Sequence, residues 1–104
     1  MGIDVVVLDK NFKEVSDQEF KDNGFPSANI AKFGMTSWIP TFNNLIGQDD
    51  IVDRFAHEMK TAPNEMICQW CSHLDTSPTL HEDENLIRSY LHFIKDRDYS
   101  VVFW

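Results

Sequence analysis

Two short runs of β-type residues stand at opposite ends of this chain, and the sequence between them has helical spacing. Ile3 to Leu8 is IDVVVL, and Tyr99 to Trp104 is YSVVFW. β-Branched and aromatic side chains suit a pleated, half-buried backbone. Runs this short and apolar predict strands inside a sheet, with everything between them left to cover it. A right-handed crossover would set the two terminal strands parallel and adjacent. The expected fold is therefore α/β (or α+β): a small two-layer domain whose N- and C-terminal strands are central in a small sheet packed by about four helices.

Local signals divide the middle. Phe12 to Val15 suits a short return strand. Ser16-x-x-Glu19 is a capping box for a short helix, closed by Asn23-Gly24 and Pro26. Ser27 is a candidate cap for a helix through Lys32, stopped at Gly34. Trp38, Ile39, Phe42, Leu45 and Ile46 recur at helical spacing, with Ser37 as cap, Pro40 in the first turn and Gly47 as the left-handed stop. Asp49 or Asp50 caps the next helix, whose stripe is Ile51, Val52, Phe55, Ala56 and Met59. Pro63 opens another, with Met66, Ile67, Trp70, Cys71 and Leu74 on one face. Thr79-x-x-Glu82 is a second capping box, and Leu86, Ile87, Tyr90, Leu91 and Ile94 form the last stripe. The 104 residues make a single domain, residues 1–104, because a second would have no core of its own.

Charge narrows the function. The chain has 17 acidic and nine basic residues, a net charge of −8. Direct nucleic-acid binding needs Lys and Arg against phosphates, so it is not expected. Anionic membrane surfaces are disfavoured for the same reason. A basic protein or protein complex is the expected partner, since opposite fields speed encounter. No apolar run approaches the roughly 20 residues of a membrane span, and no signal peptide is read at Met1 to Leu8. The expected compartment is the cytoplasm of a bacterial host cell.

Thr61 to Glu84 holds five acids and no Lys or Arg. Those acids, Glu65, Asp75, Glu82, Asp83 and Glu84, are the candidate partner-binding residues. Pro78 would stiffen the loop and reduce the ordering cost of binding; Trp38 and Trp70 are candidate anchors, although both are rather expected in the core. The same stretch contains Cys68-x-x-Cys71-x-His73 and then His81, four potential zinc ligands. A helix over this segment would put Cys71 on its buried stripe and turn Cys68 and His73 elsewhere, which favours core packing over metal. A redox pair is disfavoured, because the cysteines lie a full turn inside the helix among acids. No cofactor is expected apart from that possible zinc, and no catalytic residue is nominated. Asp9 ends a strand as catalytic acids of α/β folds do. VVVLDKN resembles the opening of haloacid-dehalogenase-like phosphotransferases, but Asn11 stands where those need a second Asp, so Asp9 is expected to form a turn.

The segments IDVVVLD, Ser27-Ala28-Asn29-Ile30 and NLIRSYLHFIKDRDYSVVFW resemble a group of small uncharacterised phage and bacterial proteins with a SLDVYLYD-type start, a central SANI and a similar ending. In that group Thr-His-Asn follows SANI, whereas here Ala31-Lys32-Phe33 does, so a role for that His-Asn pair does not carry over. The resemblance implies a phage or mobile-element origin. The layout and acidity are also similar to those of barstar-like ribonuclease inhibitors. The expected function is thus a small acidic binding protein, an inhibitor of immunity or phage counter-defence type that masks a basic, nucleic-acid-handling protein. The alternatives are a zinc-binding module and a structural protein.

Overall fold

A computed structural model describes residues 2–78 and 81–104. The elements in order are β1 (Val5–Leu8), α1 (Asp17–Asp22), a 3-10 turn (Ile30–Lys32), α2 (Trp38–Ile46), α3 (Ile51–Glu58), β2 (Thr61–Ala62), α4 (Asn64–Leu74), α5 (Glu82–Asp96) and β3 (Ser100–Phe103). The described residues form a small α+β domain, five α-helices and a three-stranded antiparallel sheet in the order β1-β3-β2.

The terminal strands are neighbours, as expected, but antiparallel: Val5 faces Phe103 and Leu8 faces Ser100. The last helix explains the reversal. Asp98, at φ 60°, makes a tight left-handed turn after α5, and Tyr99 N–H bonds back to Ile94. That turn fixes β3 against α5, and no local signal in β1 sets its own direction. Only β3 is central; β1 is an edge strand, with Glu14 bridged to Leu8 on its outer side.

Alternation gives the sheet two unlike faces. Val5, Val7, Ala62, Val101 and Phe103 point to the core. There Phe103 meets Phe42, Phe55 and Trp70, with ring centroids 5.8, 6.3 and 6.4 Å away. The opposite face carries Val6, Leu8 and Val102, all half-buried, and the exposed Trp104. A second aromatic group ties α1 to α5: Phe20 packs on Phe93 and Tyr90, and Phe25 on both. Trp38 and Trp70 are buried and so serve packing, not anchoring.

Local chemistry sets the helix ends. Ser16 Oγ accepts the Glu19 N–H, as the capping box requires. Pro63 is the cap of α4, one position earlier than expected. The Thr79 capping box lies partly outside the described residues; α5 starts at Glu82, with Glu84 reaching back to the His81 N–H at 3.2 Å. Ser27 does not cap a helix. Its hydroxyl donates to Asp17 at 2.9 Å, and Asn29 caps the 3-10 turn instead.

Gly47 ends α2 at φ 80°, and a Cβ there would lie 2.5 Å from His73 Nε2. Gly47→Ala should cost about 1–2 kcal/mol from the left-handed backbone alone. Removing the ring in Gly47→Ala/His73→Ala should recover only the steric part. Chemical denaturation of the two variants separates these contributions.

Candidate functional site

Helices α4 and α5 form a hairpin, so the end of one and the start of the other share one end of the domain. Three of the five candidate acids, Glu82, Asp83 and Glu84, gather at the start of α5, whereas Asp75 lies beside Arg88 and His92, about 6 to 15 Å further along that helix at 1.5 Å per residue. Asp75 caps α4, and Glu82, Asp83 and Glu84 make up the first turn of α5, where the helix dipole favours negative charge. Glu65 does not join them. It lies in the first turn of α4, about 15 Å along the helix from Asp75 at 1.5 Å per residue.

These acids are not equivalent. Asp75 works inside the fold: its carboxylate is 3.0 Å from His92 Nε2 and 3.7 Å from Arg88 Nε. Arg88 Nη2 also donates to the carbonyls of Leu74 and Ser77, at 3.3 and 2.9 Å. Together these groups staple the α4 terminus onto α5. Glu82 and Asp83 are exposed and take part in no ion pair among the described residues. Asp83 and Glu84, with His81, form one wall of an open groove of about 380 Å³, and Pro40, Thr41 and Asn44 of α2 form the other. Thr41 Oγ1 is already committed to Ser37 O at 2.9 Å. Asn44 is exposed and supplies an amide beside the carboxylates. Such a groove can accept hydrogen bonds from an ammonium or guanidinium group. The α2 wall carries no signal in the sequence, because only the tertiary fold brings residues 40–44 beside residues 81–84.

The Cys/His set is spread out. Cys71 is buried at 1% exposure, and burial pushes its thiol up to about 11. Cys68 Sγ contacts Asn64 Oδ1 at 3.5 Å. His73 lies against Gly47, and His81 stands at the α5 cap. Among the described residues no three His, Cys, Asp or Glu side chains stand where they could share a metal ion. Cys68, Cys71, His73 and His81, the four potential zinc ligands of the sequence, are therefore not gathered into one site. Asp9 forms a turn, its carboxylate accepting the N–H groups of Asn11 and Lys13 at 2.8 and 3.0 Å.

The Ser27-Ala28-Asn29-Ile30 segment is a structural knot. Asp17 Oδ1 accepts from Ser27 Oγ and from the Ala28 N–H, both at 2.9 Å. Ala28 O accepts the buried Tyr90 hydroxyl at 2.6 Å. Asn29 Oδ1 accepts from the Val5 and Ala31 N–H groups, at 2.9 and 3.0 Å. The bonds from Ala28 and Ser27 hold the Asp17 carboxyl below its ordinary value of 3.8. A depressed folded-state value stabilises the fold above pH about 4, and that contribution is lost as pH falls through the folded value. Asp17→Ala should therefore flatten the acid limb of the stability profile below pH 4, as urea titrations at stepped pH would show.

No helix among the described residues is long and apolar enough to cross a membrane. No protein-family model, curated protein or solved structure matches the chain.

Proposed function

We propose that this is a small acidic binding protein that masks a basic surface on another protein. The observation that carries the proposal is the pair of exposed carboxylates of Glu82 and Asp83, which form no ion pair among the described residues and stand with Glu84 in the first turn of α5 in a chain of net charge −8. A partner with a Lys or Arg cluster would meet them with its charges aligned, and the field would speed the encounter. A basic surface of that kind is what a nuclease or other nucleic-acid-handling protein presents. Inhibition of such a protein by occlusion, as an immunity or phage counter-defence protein in a bacterial cytoplasm would do, is the use that fits this chemistry. Glu65 lies outside this surface and has no part in it.

The test compares two double variants of equal charge change. A partner captured by the wild-type chain is identified, purified and titrated by calorimetry. Glu82→Lys/Asp83→Lys should weaken affinity at least tenfold. Asp53→Lys/Asp96→Lys, on other surfaces, should weaken it less than threefold. Affinity should also fall steeply between 50 and 300 mM salt, as screening requires. Equal losses in both variants, or a partner that is itself acidic, would sink the proposal.

A further inference from the structure

We infer that the open face of the sheet is a second docking surface, built for an amphipathic helix of a partner protein with a Lys or Arg at each end of a short apolar stripe. This goes beyond the acidic end and does not depend on it.

Val6, Leu8, Val102 and Trp104 lie on this face by alternation, with Trp104 56% exposed. At the other end Phe12, 75% exposed, lines a groove with Thr61 and Ser100. Phe12 is held at φ 61°, a backbone that a bulky residue adopts only at a cost. A ring this exposed, on a left-handed turn, contributes little burial to the fold.

The rim supplies the occupant's charge. A groove of about 570 Å³ at the Trp104 end has two carboxylates, Asp4 and Glu14, and one ammonium, Lys32. A groove of about 170 Å³ at the Phe12 end has Asp9 and Asp98 against Lys10. None of these groups has an ion-pair partner among the described residues. Each end thus carries one excess negative charge, which a cation at each end of the occupant would match. A second copy of this acidic chain would bring like charges together. An added strand is also disfavoured: the β1 edge is already bonded by Asn29 and Val15, and β2 has two residues before Pro63. A helix laid on the face fits. From Ser100 to Trp104 the strand runs about 13 Å, the length of about nine helical residues.

The test uses a capped 14-residue peptide with Leu at i, i+3, i+4 and i+7 and Lys at both ends, titrated into 15N-labelled protein. Saturable shifts should appear at Val6, Leu8, Val102 and the Trp104 indole. Phe12→Gly should raise the melting temperature yet weaken binding at least fivefold. Trp104→Ser should weaken it similarly with the fold intact. The same peptide with Glu for Lys should not bind. Shifts confined to residues 81–84, equal binding of the Glu peptide, or self-association through Phe12 and Trp104 in sedimentation would each overturn the inference.

Discussion

Phe103→Ala should unfold most of the protein at 37 °C. Its ring is 1% exposed and is the shared neighbour of Phe42 from α2, Phe55 from α3 and Trp70 from α4. Truncating a buried phenylalanine costs about 3–5 kcal/mol, and a domain of this size has roughly 5–15 kcal/mol in all. Three helices and the central strand lose their common contact together, so the cavity has little chance to close by local collapse. Urea denaturation should place the loss within that range. A loss under about 1.5 kcal/mol would mean that the helices pack without the sheet. Phe103→Leu should recover more than half of the lost stability.

Asn29→Ala should be the next most damaging change, at about 2–3 kcal/mol. One side chain accepts from Val5 and Ala31 and donates to Asp4, the last at 3.0 Å. Its removal leaves the Val5 and Ala31 N–H groups without partners and frees the 27–32 segment from the edge strand. Asn29→Asp keeps the acceptor but puts a carboxylate against Asp4, so it should recover only part of the loss. Hydrogen exchange gives an independent check. The Val5 amide should lose protection in Asn29→Ala before the α4 and α5 amides do. If all amides lose protection together, Asn29 belongs to the global core and not to an edge clasp.

What the sequence disclosed was whatever local chemistry decides. Helix α2 was legible from Pro40 and Gly47, because a tolerated proline and a left-handed glycine act within a few residues; Ser37 holds the cap position without a side-chain capping bond. The stripes of α4 and α5, and that of α3 as far as Ala56, were legible because burial repeats with the helical period; Met59, expected on the α3 stripe, falls past the helix end and is 67% exposed. Strand β2 was not. Thr61-Ala62 has no β pattern of its own and is extended only because it pairs with Val102 and Val101. The direction of β1 against β3 was missed because it depends on how many times the intervening chain reverses. The three acids of the candidate site, Glu82, Asp83 and Glu84, were visible within a run without cations. That Asp75 is held by Arg88 and His92, and that Glu65 is a helix length away, are facts of packing. Likewise Ser27 to Ile30 stood out only by resemblance and by Ser27 as a candidate helix cap. Its work is to join segments that lie 10 to 62 residues apart, which no window of sequence reveals.

The pairing of Asp4 with Trp104, by reciprocal backbone bonds of 3.4 and 2.9 Å, has a kinetic meaning. Among the described residues no two of the three strands are joined by a hairpin: every ladder contact of β1 with β3 closes a loop of nearly the whole chain, at an entropic cost that grows with loop length. The α4–α5 pair needs only a seven-residue connection and can form early on its own. Assembly should therefore run from a quickly made helical scaffold to a late, rate-limiting zip of the first strand onto the last. Until that zip is complete, the valines of both strands are open to other chains.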